Sequence, residues 1–344
     1  MKKQPRVAIL GAGIMGSSLA LFLARKGVDV TLYDEADRPF SAASRWNEGK
    51  IHLGYLYSAD ASMRTAEHVL PGGLKFRPLV EELIERSVEP VMTSHDDIYL
   101  CHRHSIVQPD AMESYMRLVT QKVQAHPDAA HYLTDVRERR IRRLSASELA
   151  ALSGSNDILA GFRVPERSVE TTWIADRFVE AVASEKRITP MMNARILAVK
   201  SLDGSRDGPW EVQTSAGAFS PYDYVINALW QGRMAIDLTV GLKPAGVWSN
   251  RYRQSLFLRT TEPLNTPCAV IAVGPFGDIK NYNGRDFYLS WYPDGLRVDS
   301  SAVSPPELES VNMPSHDVLS HAIFGHLQDY LPWVSDIRGR IERM

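Results

Sequence analysis

The sequence predicts an α/β fold in which a Rossmann-like dinucleotide-binding domain is interleaved with a second domain built on a mixed or antiparallel sheet. Three observations carry this. Residues 6–34 read as strand, glycine turn, helix and strand, with an acid closing the second strand. βαβ-like material returns at about 160–235. Strand-rich material lies at about 90–105 and 245–300, so each domain is assembled from separate stretches. The implied division gives residues 1–90 and 150–240 to the nucleotide domain and 91–149 and 241–330 to the second. Residues 331–344 are left as the start of a further segment.

The elements follow in order. Arg6 to Leu10 is a short apolar run of the kind buried on both faces. Ile14 to Lys26 has a strongly apolar surface, and Gly27 stops it. Val28 to Tyr33 alternates toward a second strand. Residues 36–60 hold no apolar strand, with small, polar and glycine residues around Ser44 to Gly54. Residues 61–88 read as helical, broken at Pro71-Gly72-Gly73. Asp97 to His102 reads as a strand and Ala111 to Gln124 as a helix with apolar residues spaced by three and four. Ser145 with Glu148 has capping-box spacing for a short helix. Trp173 to Ser184 is helical; Asn193–Lys200, Trp210–Thr214 and Tyr222–Asn227 are strands. Gln254–Leu258, Ala269–Val273 and Asp286–Tyr292 follow as strands, and His316–Leu331 as a helix.

Composition narrows the function. The chain has 344 residues, 44% hydrophobic and 23% charged, enough for a sizeable core. Lys plus Arg is 39 against 41 for Asp plus Glu, a net charge of −2, which argues against a nucleic-acid partner. The two cysteines, Cys101 and Cys268, form no metal or disulfide framework, and no metal site is expected; a reducing cytoplasm fits. The basic start and uncharged Val7–Ala24 imitate a signal peptide, but glycines break the run and Arg25-Lys26 follow it. No stretch is long and apolar enough for a membrane span.

The first motif is Gly11-Ala12-Gly13-Ile14-Met15-Gly16, with Asp34 eighteen residues beyond its last glycine. The glycines let the backbone approach a pyrophosphate at a helix N-terminus, and the acid can bind a ribose diol. A nicotinamide domain would continue with another helix and buried strand. This chain enters a polar, glycine-rich stretch instead. Val7–Gly16, Asp34, the pattern Ser44-Arg45-x-Asn47-x-Gly49-x-x-His52-x-Gly54, the 187–199 segment and Val225 to Ala228 together resemble the D-amino-acid oxidase-like flavoproteins. That superfamily includes glycine and sarcosine oxidases, dimethylglycine dehydrogenase and 2-hydroxyglutarate dehydrogenases.

The resemblance implies FAD. It puts Gly11, Gly13, Ile14, Met15 and Gly16 at the pyrophosphate and Asp34 and Glu35 at the adenosine ribose. Ser44, Arg45 and Asn47 would line the pyrophosphate and flavin edge, and Gly49, Lys50 and His52 would run past the isoalloxazine. Arg195 and Ile196 would lie on the adenine side, and Asn227 and Ala228 beside the cofactor. His52, Arg251 and Tyr288 are the candidate catalytic residues. Asp286, Tyr288, Ser290 and Tyr292 share one face of a strand, and Phe287, Leu289 and Trp291 the apolar other. Arg251 and Arg253 share a face of a neighbouring strand, where either a substrate carboxylate or solvent is the partner.

The activity implied is an FAD-dependent oxidation of a small amine, amino acid or 2-hydroxy acid. Two alternatives stand beside it: a flavin-binding protein without independent turnover, and an NAD-dependent dehydrogenase. The resembling proteins close their flavin site with a late strand, glycine-rich loop and helix not visible after Gly284. A partner chain or a longer C-terminus completing the site is therefore an expectation. The run Arg137 to Arg143, five arginines in seven residues, has no interleaved aromatic and reads as a solvated surface.

Overall fold

A computed structural model describes residues 4–205 and 208–344. Arg6–Leu10 lies inside a four-stranded, all-parallel sheet. Tyr224–Asn227 pairs with it on one side and Asp29–Tyr33 on the other, with Ile188–Met191 beyond. Val7 to Leu10 are buried, as a strand covered on both faces requires. One face carries the helices Ile14–Arg25 and Thr171–Ser184, packed on each other, with Arg64–Ile84 beside them. The other face meets a three-stranded antiparallel sheet, Ile196–Ser201, Trp210–Thr214 and Gly217–Tyr222, across a core of Leu10, Tyr33, Val199 and Val212.

The second sheet has eight strands. Their order is Ile341–Arg343, Leu256–Thr260, Asp286–Trp291, Gly277–Asn281, Ala269–Ala272, Ile98–His102, Ile158–Arg163, Arg142–Arg143. It is antiparallel except where Ala269–Ala272 runs parallel to Ile98–His102. The two-residue side-chain period divides it into two unlike faces. Ile98, Leu100, Leu256, Leu258, Phe287 and Leu289 form an apolar face, sealed by Leu319, Ile323, Phe324 and Leu327 of the helix His316–Tyr330. Lys280 stands opposite Tyr288 and Asp278 opposite Ser290 on the polar face. That face is buried as well, so it faces protein and not water.

Some expected elements change. The helix expected to break at Pro71-Gly72-Gly73 runs unbroken from Arg64 to Ile84 with Pro71 and Pro78 inside it. Burial of Ala66, Leu70, Leu74 and Val80 outweighs the weak local propensity. Tyr292 leaves the strand face and opens the helical turn Tyr292–Gly295. The strand expected from Asn193 begins at Ile196, because Asn193 has a left-handed backbone, φ 56°. Ile158–Arg163 falls within the 150–240 stretch assigned to the nucleotide domain, yet its backbone pairs with Ile98–His102 in the larger sheet. Ser145 and Glu148 form the capping box expected of them.

Candidate active site

The glycine loop leaves the first strand at Gly11, whose φ of 96° suits glycine. A methyl group there would press on the Ala228 carbonyl oxygen at 2.9 Å; at Gly16 it would fall 1.8 Å from the Gly11 carbonyl oxygen. Both glycines are therefore consumed by the fold. Gly13 differs, for its nearest neighbour would be only the Ser44 hydroxyl at 2.9 Å. Ser44 Oγ accepts the Ile14 backbone N–H at 2.9 Å. No acid lies in the first turn of this helix, and Ile14 and Met15 are exposed. The result is an open, electropositive helix start with a hydroxyl held above it. Asp34 closes the rim, accepting the Ala12 N–H at 2.7 Å and the Ala36 N–H at 2.9 Å.

The loop that carries Ser44 is pinned from below. Arg45 is nearly buried, donating to Asp176 at 2.5 Å and to the Phe40 carbonyl at 3.1 Å. Asn47 accepts the Gly49 N–H and donates to the Ala43 carbonyl, each at 2.8 Å. Arg45 and Asn47 thus shape the loop. A Cβ on Gly49 would lie 2.0 Å from the Val169 carbonyl oxygen, so the chain passes there in close contact. Lys50 forms an isolated β-bridge with Ser168, and its side chain reaches Tyr99 of the large sheet.

Here the structure assembles a buried charge cluster. Lys280 donates to Asp97 Oδ2 at 2.6 Å, and Lys50 Nζ lies 3.4 Å from the same oxygen. Lys50 also donates to the Tyr99 hydroxyl at 3.2 Å, and Tyr99 donates to Glu166 Oε2 at 2.6 Å. Glu166 Oε1 receives the N–H groups of Leu53 and Gly54, directly after His52. Asp278 accepts from Ser290 at 2.5 Å. Burial pushes the Asp97 carboxyl up, but Lys280 and Lys50 outweigh it and hold it below its ordinary value. Burial and the charge of Lys280 push Lys50 down. Lys280 itself is raised, Asp97 overcoming the cost of burial. Burial lowers His52, leaving a neutral imidazole whose buried Nδ1 has no hydrogen-bond partner. Tyr288 is buried and its hydroxyl accepts from Ser255 at 3.0 Å; burial raises its pKa.

From this cluster an aromatic path leads outward. Tyr288 packs edge-on against Phe257 at 5.2 Å, and Phe257 against Trp46 at 5.2 Å. Trp46, Phe257, Ser255, Gln254 and Arg253 line a cleft of about 400 Å³. The guanidinium of Arg253 lies 4.4 Å over the Tyr292 ring. Arg251 is not brought here. It is exposed on a two-stranded ribbon, Asn250–Arg253 with Leu296–Ser300, and pairs with Asp299 at 3.1 Å. The alternation that would put the two arginines on one side is broken by a register shift between Tyr252 and Arg253, and only Arg253 lines the cleft.

The family described as FAD-dependent oxidoreductase matches residues 6–343. The chain belongs to it. Among solved structures, this flavoprotein resembles glycine oxidase from Geobacillus kaustophilus at a TM-score of 0.70 and 14% identity, covering 97% of this chain and 80% of that one. It resembles iminodiacetate oxidase from Chelativorans sp. BNC1 at a TM-score of 0.66 and 17% identity, covering 96% and 80%. A curated relative, kynurenine 3-monooxygenase from Salinispora tropica, is 25% identical over 155 residues. That match takes in 44% of this chain and spans a third of the relative, 33%. FAD is the cofactor of the family, and the solved folds include a glycerophosphate oxidase with FAD bound.

The residues present fit FAD. Gly13 leaves bare backbone where a phosphate must approach, the helix start and Ser44 offer donors, and His52 presents an unpartnered nitrogen. Two expected contacts are otherwise engaged in this flavoprotein. Asn227 donates to the Arg233 carbonyl and to Asp237, and its Oδ1 accepts the Leu229 N–H, so its side chain shapes the turn after its strand. Arg195 is exposed, paired with Glu307 and 3.9 Å from Glu35, while Ile196 opens the next strand. Four of the five arginines of the run are paired locally: Arg137 with Asp135, Arg139 with Asp96, Arg142 with Glu148, Arg143 with Asp110 and Glu113. Among the described residues no cluster could hold a metal, and no helix is long and apolar enough to cross a membrane. The sequence reading missed Asp97, Glu166, Asp176 and Lys280. The signal was present for one pair: Asp278 and Lys280 flank Ile279 in a strand whose other face is apolar.

Proposed function

We propose that this chain oxidises a small amino acid or related amine at the carbon bearing the nitrogen. The observation that carries the reading is the polar face of the large sheet, buried beneath segment 48–52 and joined by Tyr288, Phe257 and Trp46 to a cleft containing Arg253. Held at the glycine loop and segment 48–52, FAD would supply a two-electron acceptor for a hydride from the substrate carbon. The chain's own residues do the rest. Arg253 grips the substrate carboxylate with two parallel hydrogen bonds, its plane held by Tyr292. Trp46 and Phe257 exclude water and fix the approach. The substrate must shed a proton before the hydride leaves, and His52 and Lys50, both lowered by burial, are the acceptors that segment 48–52 supplies. The imine that results hydrolyses in water.

A 2-hydroxy acid is the second reading. It is favoured by the neutral imidazole of His52 with its free Nδ1, because a hydroxyl needs a base more than an amine does. The test is anaerobic mixing of the purified yellow protein with glycine, N-methylglycine, iminodiacetate, proline, glycerophosphate and 2-hydroxyglutarate. Bleaching of the visible flavin band by an amine supports the first reading, and bleaching by a hydroxy acid alone replaces it with the second. No bleaching by any of them leaves a flavin protein without independent turnover.

A further inference from the structure

We infer that Asp97 is a positioning residue, whose single carboxylate oxygen is shared by two buried lysines so that Lys50 is held as an amine able to take up one proton beside the flavin-facing segment. Among the described residues Asp97 is the one carboxylate in ion-pair contact with either lysine. A buried ammonium needs a counter-charge. Lys280 and Lys50 have side chains 0% and 2% exposed, and both approach the same Oδ2 of Asp97, at 2.6 and 3.4 Å. Asp97 Oδ1 is buried and unpartnered, so the carboxylate does not divide its two oxygens between the two cations. Lys280 holds the short contact and keeps its proton. Lys50 has the longer contact, with the Tyr99 hydroxyl at 3.2 Å and the Tyr99 ring at 4.8 Å as its other neighbours.

Every charged element around Lys50 has been placed. Asp278 and Lys280 face it from one strand, and Asp97 and Tyr99 from another. Glu166 lies behind Tyr99, and Glu48 and His52 flank Lys50 on its own segment. Glu166 is committed to Tyr99 and two backbone N–H groups, and Asp278 to Ser290. Neither is in ion-pair contact with Lys50. The assignment rests on the amine-oxidising reading above and names its proton acceptor. In that step an N–H bond of the substrate ammonium breaks, an Nζ–H bond of Lys50 forms, and no electrons move. Asp97 then steadies the charge Lys50 has gained.

The experiment follows lysine Nζ signals by NMR in FAD-loaded protein labelled with 15N-lysine, with Lys50→Met identifying the Lys50 signal. Lys50 is expected to titrate below the ordinary lysine range. Lys280→Met frees Asp97 to serve Lys50 alone, so the titration should rise by about one to three pH units. The acid limb of substrate-driven flavin reduction should rise with it. A Lys50 titration of ordinary value, or one that Lys280→Met leaves in place, overturns the shared-charge assignment. A titration that moves while the acid limb does not overturns Lys50 as the acceptor. If the titration moves and no substrate reduces the flavin at any pH, the shared charge is supported and the amine-oxidising reading fails. Since Asp97→Asn leaves the buried Lys280 ammonium unmatched and lowers stability, the test rests on Lys280→Met.

Discussion

Three glycines in one motif have three different burdens. A Cβ at Gly16 collides with backbone at 1.8 Å and at Gly11 with backbone at 2.9 Å, whereas at Gly13 it meets only a serine hydroxyl that can rotate. Gly13→Ala is therefore expected to fold near wild-type stability but to bind FAD at least tenfold more weakly, about 1.4 kcal/mol. Gly16→Ala should lower the unfolding midpoint sharply, before any question of FAD arises. Thermal unfolding of the FAD-free proteins, with flavin titration of those that fold, checks both; unchanged FAD affinity in Gly13→Ala would remove the pyrophosphate from this loop. Asp34 is a different case. Its carboxylate already holds the Ala12 and Ala36 N–H groups, so Asp34→Ala costs loop order as well as a ribose contact. FAD affinity should fall about ten- to a hundredfold, from charge-assisted bonds worth roughly 1.5–3 kcal/mol. Asp34→Asn, which keeps one acceptor oxygen, should fall less. Equal FAD affinity in wild type and Asp34→Ala would reduce this residue to a loop clamp.

Segments that pack on their own periodicity were legible from sequence. The first βαβ unit, the Ser145 capping box and the apolar face of Asp286–Trp291 follow from local pattern alone. The Arg64–Ile84 helix was legible only in part, because Pro71-Gly72-Gly73 reads as a stop until its tertiary partner is known. That partner is the functional segment itself: a Cβ on Gly73 would lie 2.1 Å from the His52 carbonyl oxygen, whereas one on Gly72 would meet nothing within 4 Å. Gly73 is thus the point at which the helix touches the backbone of segment 48–52. Gly73→Ala is expected to destabilise the protein by about 1–3 kcal/mol through overpacking and to weaken FAD binding by displacing His52. Gly72→Ala, on the exposed side of the same turn, should be neutral or stabilising by up to about 1 kcal/mol. Chemical denaturation of the pair separates close packing from helix propensity, and equal effects at the two positions would refute the contact.

At the scale of the molecule, buried charge joins the parts. A charged residue in a strand reads as solvent-facing when the sequence is taken alone, since nothing local says that another domain covers that face. Lys280 shows its burial only through its pairing with Asp278 around Ile279, and Asp97 and Glu166, outside the strands, lie in no pattern that marks burial. They fasten the large sheet to the segment that follows the glycine loop. This linkage has a pH signature. Burial raises the Asp97 carboxyl, Lys280 and Lys50 lower it more, and its folded pKa lies below the unfolded value of about 3.9. A depressed folded pKa contributes stability that is present above the unfolded value and is lost as pH falls through the folded one. The contribution of Asp97 should therefore be constant from neutral pH down to about 5 and disappear below about 4. Comparison of wild type with Asp97→Asn by urea denaturation from pH 7 to pH 3 isolates it. The gap should be several kcal/mol near neutrality, as for a broken buried ion pair, and should narrow only at the acid end. Lys280→Met removes the nearer of the two cations and brings the folded pKa closer to the unfolded one, so the narrowing should be smaller and complete at a higher pH. A gap that stayed constant to pH 3 in both comparisons would mean that Asp97 keeps its charge state on unfolding and that the cluster does not fasten the two sides electrostatically.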